Sequence, residues 1–582
     1  MRERFSMRLL KDKFLFLLIL LLGTISWSLT MVKSGWIYSY GAGFWGPNGH
    51  DGIWHLALIN HLAANNLNFL DMPVFSGEAF KNYHLGFDLF VAFLHQISGI
   101  PTLNLYFQIL PPIFALLIGW LSYKLVLDFT NSKVQALWSL FFVYFGGSFG
   151  WIVTLLRDGM VGGESMFWAQ SSVSTLLNPP FAASLIVLLA GIIALVRFDK
   201  TKNWKYLLGV VLFFGLVIEI KVYAGILALG GLGFLGVLRV IRDKNFTYLI
   251  ASVASGAISF VVFKLFTRTE GSLLVYQPFW FLETMMALSD RFGWQRYFDA
   301  MMAYKSGGNF VKAIPAYAIA FAIFWFGNLG TRGIKEILVF RWIRDWKGFG
   351  VVETFLASVI VGGALIPMFF LQKGTPWNTI QFTYYSLFFS SILAGIVAGQ
   401  WLEKNKNRVV WGTILVLLTV PTSFSTLWYH YLPARPPAKI STAELEALKF
   451  LKSQPKGVVL TYPFDRTAAE KAIANPPRPL YLYESTAYVA AFSAQPVYLE
   501  DEVNMDITDY NWKERRKKVL DWLGNLNQDE VKGFLEKNDI RYIYWVKPQR
   551  ATLGETQIGI LRIFENSEVD IYKINKSGLL AK

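Results

Sequence analysis

The sequence predicts a polytopic α-helical membrane protein with about 11 transmembrane helices, a cytoplasmic N-terminus and a C-terminal extracytoplasmic α/β domain. Two compositional observations support this fold class. Apolar residues form 54 % of the 582 residues, and charged residues only 16 %, whereas soluble domains carry about a quarter. Long apolar runs also recur through residues 1–430, and basic residues collect in alternate loops between them.

The charge and cysteine counts exclude several classes of function. The net charge of +15 does not indicate nucleic acid binding, because basic residues of a membrane protein collect in cytoplasmic loops and fix the topology. The chain has no cysteine, which excludes a disulfide framework, a cysteine-ligated metal and a thiol nucleophile.

The first apolar run, 14–31, follows five basic residues. It is longer than the apolar core of a signal peptide, which has about 7–15 residues, so we expect a retained helix. Ten further spans are expected near 105–126, 134–155, 180–196, 206–220, 222–239, 247–265, 311–327, 351–371, 381–400 and 409–427. Around Glu219 and Lys221 the pattern fits either two spans with a tight turn or one long helix.

The loop charges support a cytoplasmic N-terminus. The first loop, 32–104, is predicted to be outside and has only Lys33 and Lys81 as basic residues. Four of the predicted inner loops contain the following basic residues: Arg197, Lys200, Lys202, Lys205, Arg239, Arg242, Lys244, Arg332, Lys335, Arg341, Arg344, Lys347, Lys404, Lys406 and Arg408. An odd number of spans and an outer C-terminus follow.

The stretch 84–99 is apolar but too short to span a bilayer, and it contains ionisable residues. We expect an interfacial helix there, and we assign its lipid-facing side to Leu85, Leu89, Phe93 and Ile97.

From 433 to 582 the charge density rises to that of a soluble domain. Ser441 and Glu444 form a capping box that predicts a helix to about 453. Strands are expected at 457–462, 540–546 and 568–574, and helices near 511–524 and 528–537. This alternation indicates a small α/β domain.

Five of the six histidines lie in the first loop, together with Asp51, Asp71, Glu78 and Asp88. The catalytic candidates are Asp51, His55 and His50. A helix that begins at Asp51 would place Asp51 and His55 on one side, where a carboxylate beside an imidazole can accept a proton from a hydroxyl. The alternative interpretation is that Asp51 is a helix N-cap, and both roles can coexist.

Two other groups of residues are candidates for substrate binding. Glu78, Tyr83 and His84 either line the same cleft as Asp51 or form a solvated loop. The turn 373–381 offers Lys373, Trp377, Asn378 and Gln381 to a phosphate or a sugar, although such a tryptophan is often only an interfacial anchor. Lys221 either meets a lipid phosphate or extends its ammonium group toward the interface.

The sequence establishes no cofactor, and no nucleotide-binding motif is visible. Mg²⁺ or Mn²⁺ could bind Asp51 together with a substrate phosphate. A zinc site would need ligands from His50, Asp51, His55 and His84, but no motif fixes their spacing.

The order of these elements resembles the GT-C superfamily of membrane glycosyltransferases, which includes protein mannosyltransferases, aminoarabinose transferases and oligosaccharyltransferases. The resemblance covers about 1–430 and depends on an N-in first span, Asp51 early in a long outer loop, and a membrane-parallel helix. Many relatives carry paired acidic residues at this point, whereas here Asp51 has His50 and Gly52 as neighbours.

The resemblance implies a donor sugar on a polyprenyl phosphate and transfer at the outer face of the cell (plasma or inner) membrane. The acceptor, whether glycan, lipid or protein, is left open. Asp51 would be the general base or would orient the acceptor, and the turn 373–381 would contact the donor. Two rival functions remain: a transporter or flippase, and a non-catalytic assembly protein of the cell envelope.

Overall fold

A computed structural model describes residues 2–65, 71–268, 274–345, 348–524, 528–547 and 559–574. Helices dominate the first three quarters of the chain. In chain order they are α1 (Arg2–Ser28), α2 (Asp51–Ala64), α3 (Gly86–Ser98), α4 (Thr102–Asn104), α5 (Leu110–Thr130), α6 (Lys133–Phe145), α7 (Gly150–Asp158), α8 (Pro179–Thr201), α9 (Trp204–Ile220), α10 (Val222–Asp243), α11 (Thr247–Phe266), α12 (Trp280–Ala287), α13 (Gln295–Ser306), α14 (Phe310–Leu329), α15 (Glu336–Arg344), α16 (Val351–Phe369), α17 (Gln381–Lys404), α18 (Arg408–Thr419) and α19 (Pro421–Thr426).

All of the predicted spans fall on helices. Among the described residues, seven helical segments are long and apolar enough to cross a membrane, or nine if two bent pairs each count as one span. The bent pairs are α6 with α7, which meet at 45°, and α18 with the segment 421–431, which meet at 41°. A polytopic helical membrane protein is therefore confirmed, while the predicted count of 11 and the sidedness stay predictions.

The region 206–239 forms two helices rather than one. Lys221 has an extended backbone, with φ −157° and ψ 115°, and it separates α9 from α10. α9 has 17 residues, so it is short for a perpendicular span, which needs about 20.

Small residues allow α6 and α17 to pack closely. A Cβ atom built on Gly395 would lie 2.2 Å from the Cα of Ser139, and one on Gly399 would lie 2.6 Å from the Cα of Gln135. The two glycines are four residues apart on one face of α17, which is the spacing that brings membrane helices into backbone contact. The backbones of α6 and α17 are therefore in direct contact at these two glycines.

The predicted inner loop after residue 327 differs in the structure. Helix α14 continues through a 3-10 turn, Gly330–Lys335, into α15. Arg332 and Lys335 are both buried there. Arg332 donates hydrogen bonds to the carbonyl oxygens of Leu329 and Asn328 at 2.9 and 2.6 Å, so it satisfies carbonyls that the end of α14 leaves open.

A helix, α3, is present at the position of the predicted interfacial helix, and its exposed side differs from the prediction, while its place at the membrane interface stays a prediction. Phe90, Phe93 and Ile97 are exposed, as a lipid-facing side requires, whereas Leu85 is buried and Leu89 is partly buried. Leu85 lies just before the helix, where its backbone N–H donates to Glu219 at 2.9 Å. The predicted apolar stripe is therefore wrong at its N-terminal end.

The C-terminal part, 433–582, contains helices and two short sheets. Its helices are α20 (Thr442–Ser453), α21 (Arg466–Ala472), α22 (Leu480–Tyr483), α23 (Tyr488–Ser493), α24 (Glu502–Ile507), α25 (Trp512–Gly524) and α26 (Gln528–Lys537). Among the described residues the strands are β1 (Ile37–Tyr38), β2 (Gly41–Phe44), β3 (Leu274–Tyr276), β4 (Phe370–Gln372), β5 (Ala438–Ile440), β6 (Val458–Leu460), β7 (Arg478–Pro479), β8 (Ile540–Val546), β9 (Ile560–Glu565) and β10 (Val569–Ile574).

Every helix and strand predicted for this part is present, and the capping box of Ser441 and Glu444 forms as expected. One sheet has the order β6-β8-β10-β9, with β6 parallel to β8 and the other pairs antiparallel. The other sheet, β1-β2-β5-β7, was not predicted. In it, Ala42 of the first loop pairs with Ile440, so the C-terminal part is joined to the first loop by backbone hydrogen bonds.

Candidate active site

The segment before α2 is held rigidly. A 3-10 turn, Gly46–Gly49, leads into the helix, and Asn48 donates to the carbonyl oxygen of Thr30 and to Ser34, both at 2.9 Å. Gly46 has a φ of +57°, and a Cβ there would lie 2.6 Å from the hydroxyl of Tyr431. Only glycine fits this position without strain. The turn therefore fixes where α2 begins.

Helix α2 begins at Asp51, as the sequence predicts. The interpretation of Asp51 as an N-cap is wrong, because His50 occupies the cap position and no side chain there forms a capping hydrogen bond. Instead, Nδ1 of His50 is 2.9 Å from Oδ1 of Asp51. The Asp51 side chain is 49 % exposed, so its carboxylate is accessible to a ligand.

His50 joins the first loop to the C-terminal part. Its Nε2 lies 3.3 Å from Oδ1 of Asp501, whose side chain is fully buried. Burial alone would lower the pKa of His50, but the charges and hydrogen bonds of Asp501 and Asp51 outweigh it and raise this pKa well above its ordinary value. A protonated imidazole therefore lies between two carboxylates.

Asp51 is held in its ionised form. Burial would raise the pKa of its carboxyl group, but the hydrogen bond from His50 and the positive charges of His50, His55 and Lys221 outweigh this effect. The pKa of Asp51 is therefore lower than its ordinary value. A carboxylate of this kind is well suited to orient a hydroxyl and to stabilise developing positive charge.

His55 does not bond to Asp51. Its Nδ1 is 2.8 Å from Oδ1 of Asp88 on α3, and both side chains are buried. Oδ2 of Asp88 has no hydrogen-bond partner among the described residues, and burial raises the pKa of this carboxyl group despite the opposing effects of His55 and Lys221. The pair connects α2, the helix that begins at Asp51, to α3.

Tyr83 and His84 lie beside His55, and their place in a cleft shared with Asp51 stays a prediction. Their rings stack with centroids 4.6 Å apart, and the Tyr83 ring is 6.4 Å from that of His55. Nε2 of His84 is buried and has no partner among the described residues. Burial and the charges of Lys221 and His55 lower the pKa of His84 well below its ordinary value, so its ring is neutral.

Lys221 is buried rather than extended toward an interface. Its Nζ is 3.3 Å from Oδ1 of Asn178 and 5.5 Å from the ring centre of Tyr223. Burial lowers its pKa to about 8, although the carboxylates of Asp51 and Asp88 act in the opposite direction. A desolvated ammonium group therefore lies within electrostatic reach of Asp51.

The side chains of the turn 373–381 contact the C-terminal part and one another. Lys373 pairs with Asp509 of the C-terminal part at 2.9 Å, and Trp377 is 52 % exposed. Asn378 donates to Oε1 of Gln372 at 2.9 Å and accepts from Gln381. The ammonium group of Lys373 is thus paired with Asp509. The side-chain amides of Gln372, Asn378 and Gln381 hydrogen-bond to one another.

Glu78 lies on the solvated side of the first loop. Its side chain is 57 % exposed, and Arg515 approaches it at 4.0 Å. Of the two predicted alternatives, this exposure favours the solvated loop for Glu78.

A closed metal site does not form among the described residues, since no group of three or more His, Asp or Glu side chains converges as metal ligands do. The carboxylate of Asp51 is also engaged by His50. Mg²⁺ or Mn²⁺ held by Asp51 together with a substrate phosphate needs no such group and stays a prediction.

Two important residues were not selected from the sequence. Asp501 and Glu484 lie in the C-terminal part, yet both interact electrostatically with His50. No sequence spacing connects them to Asp51. The available signal was weak: Glu500-Asp-Glu502 is a run of three acidic residues directly after the buried segment 497–499.

The fold is similar to those of solved membrane glycosyltransferases. The arabinofuranosyltransferase AftD from Mycobacteria matches with a TM-score of 0.51 and 11 % identity, over 96 % of this chain and 40 % of that one. The Archaeoglobus fulgidus oligosaccharyltransferase matches at 0.49 and 13 %, over 91 % and 69 %. ArnT from Cupriavidus metallidurans, solved with undecaprenyl phosphate, matches at 0.37 and 9 %, over 96 % and 98 %.

No family model and no curated protein matches the sequence. At identities this low, the structural similarity establishes the fold alone, and AftD is the neighbour among these whose TM-score exceeds 0.5. The predicted resemblance to membrane glycosyltransferases is confirmed at this level. The chain is a polytopic helical membrane protein with the fold of that class of enzymes.

Proposed function

We propose that this protein is a membrane glycosyltransferase that moves a sugar from a polyprenyl-phosphate-linked donor to an acceptor on the outer face of the cell membrane. The observation that carries the proposal is the half-exposed carboxylate of Asp51, which His50 holds where the helix bundle meets the C-terminal part. In this proposal residues 1–430 bind the donor and residues 433–582 lie outside the cytoplasm.

Asp51 acts as the acceptor-orienting carboxylate in this proposal. Its lowered pKa makes it a weak base toward a free hydroxyl, so early deprotonation of the acceptor is disfavoured. It instead accepts a hydrogen bond from the acceptor hydroxyl and takes the proton late, when the bond from oxygen to the anomeric carbon has formed. The bond from that carbon to the phosphate oxygen breaks, and the carrier phosphate leaves.

Lys221 is the residue that we assign to the leaving phosphate. It is buried, it has a lowered pKa of about 8, and its described hydrogen-bond acceptor is the neutral side chain of Asn178. An incoming phosphate would restore its full charge, and the ammonium group would stabilise the negative charge that develops on the leaving oxygen. Lys373, for which the family resemblance implied this role, is paired with Asp509.

The test uses the full-length protein in lipid nanodiscs with radiolabelled dolichyl-phosphate mannose, dolichyl-phosphate glucose and decaprenyl-phosphate arabinose, each mixed with a membrane extract as the source of acceptor. The expected result is incorporation of label from one donor, with a loss of at least about 100-fold in Asp51→Asn. Asp71→Asn is the matched control, because Asp71 is an exposed acid of the same loop.

Full activity of Asp51→Asn would remove the central residue of the proposal. Movement of donor across the bilayer without a covalent product would favour a transporter, and neither movement nor product with any donor would favour an assembly protein.

A further inference from the structure

A narrow cleft in the C-terminal part lies next to the Asp51 site. It is lined by aromatic rings, including Tyr462, Phe464 and Tyr481, and by the polar residues Glu484, Thr486 and Asp501. Asp501 contacts His50, and His50 contacts Asp51. One residue of the cleft lining, Asp501, is therefore connected through His50 to the candidate catalytic carboxylate.

Most of the acidic groups around this cleft already have partners. Glu500 accepts hydrogen bonds from the backbone N–H groups of Val489 and Ala490, both at 3.0 Å. Glu502 is paired with Arg516, and Asp501 accepts from the backbone N–H of Asn504 at 3.0 Å. These three carboxylates are explained by the structure of the C-terminal part itself.

Two polar groups of the cleft are not explained in this way. Thr486 is only 5 % exposed. Its hydroxyl is buried and has no hydrogen-bond partner among the described residues. Glu484 is exposed, and although the charges of His50 and Arg478 act on its carboxylate, no salt bridge to it forms within the described part of the chain. A buried polar group without a partner is costly, so a ligand that supplies one is favoured here.

The remaining lining indicates the chemistry of that ligand. Aromatic rings pack against the apolar C–H face of a sugar ring, while carboxylates and hydroxyls bind its hydroxyl groups. The described lining of the cleft contains four carboxylates and no lysine or arginine, so it disfavours a phosphorylated or uronic acid ligand relative to an uncharged one. An uncharged saccharide satisfies all of these conditions.

We propose that this cleft binds the acceptor and that the acceptor is an uncharged saccharide, with Glu484 and Thr486 as its polar contacts. The inference rests on the proposed transferase function. It places the acceptor hydroxyl between the two parts of the chain, where Asp51 orients it, and the transferred sugar becomes linked to that hydroxyl through a glycosidic bond.

The experiment measures binding and transfer separately. Methyl glycosides of mannose, glucose, galactose and arabinofuranose are titrated into the full-length protein in nanodiscs and followed by saturation-transfer difference NMR. Binding of at least one glycoside is expected, weakened about ten-fold in Glu484→Gln and in Thr486→Val by the loss of one hydrogen bond. Glu470→Gln, an exposed acid of α21 outside the cleft, is the matched control and should bind like the wild type.

In transfer assays the same two variants should raise the KM for the acceptor about ten-fold and leave the KM for the donor unchanged. Binding and acceptor KM that are both insensitive to the two variants would overturn the assignment of the cleft. The assignment would also be overturned if no glycoside bound and a short acceptor peptide, N-acetyl-Asn-Ala-Thr-amide, bound instead, with an affinity that the two variants weaken. Glycoside binding lost in the variants, together with a wild type that transfers no sugar, would support the saccharide site and overturn its role as the acceptor site.

Discussion

Nε2 of His50 lies 3.3 Å from Oδ1 of Asp501, although one residue belongs to the first loop and the other to the C-terminal part. The other ring nitrogen of His50 bonds to Asp51 at 2.9 Å. One imidazole therefore sets the orientation and the charge state of the carboxylate on which the proposed function depends.

His50→Gln should move the acidic limb of the pH–activity profile to higher pH. The variant loses the positive charge and the hydrogen bond that hold the pKa of Asp51 low, while the burial that raises this pKa remains. Asp51 would then be protonated, and inactive, at pH values where the wild type is active. The rate at neutral pH should also fall by about ten-fold or more, as expected for the loss of one charge-assisted hydrogen bond.

The profile is measured as kcat/KM against pH, because that ratio reports ionisations of the free enzyme. An unchanged acidic limb in His50→Gln would show that His50 does not control Asp51.

Lys221→Gln should raise the KM for the donor about ten-fold and leave the KM for the acceptor unchanged, since the variant removes one charged contact to the phosphate. In the wild type the pKa of Lys221 is about 8, so the ammonium group is charged below that pH and neutral above it. The donor KM of the wild type should therefore rise as the pH increases from 7 to 9, and that of the variant should stay flat.

Lys373→Gln is the control for this experiment, because Lys373 is exposed and paired with Asp509. A larger effect at Lys373 than at Lys221 would restore the turn 373–381 as the phosphate site and contradict our assignment.

Asp88→Ala should destabilise the protein by about 3–5 kcal/mol, because it leaves the buried imidazole of His55 without its partner. The measurement is denaturant unfolding in mixed micelles. Asp71→Ala, at an exposed position of the same loop, should change the free energy of unfolding by less than about 0.5 kcal/mol. Equal stability of Asp88→Ala and the wild type would mean that the pair does not hold α2 against α3.

Gly395→Ala should destabilise the helix bundle by about 1–3 kcal/mol. The new Cβ would lie 2.2 Å from backbone atoms of Ser139, so α6 and α17 must separate. Gly256→Ala in α11 is the control, since a Cβ there meets nothing within 4 Å and alanine favours a helix. The comparison uses thermal unfolding in the same detergent, and equal midpoints for the two variants would contradict close packing at Gly395.

Local signals predicted much of the structure. The capping box at Ser441 and the strand at Ile540–Val546 depend on neighbouring residues, so the sequence was sufficient to find them. The spacing of Leu85 from Leu89 and Phe93 predicts that Leu85 lies on the lipid side of the helix. The tertiary contact of its backbone with Glu219 instead places it inside.

The sequence by itself determined a helical membrane protein with a polar first loop, the start of α2 at Asp51 and the helices and strands of the C-terminal part, because apolar length, capping and periodicity act over short distances. Only the tertiary structure decided which groups surround Asp51. The contact of His50 with Asp501, the contact of His55 with Asp88 and the effect of the Lys221 charge on Asp51 all join residues distant in the chain, and no local pattern encodes which of them meet.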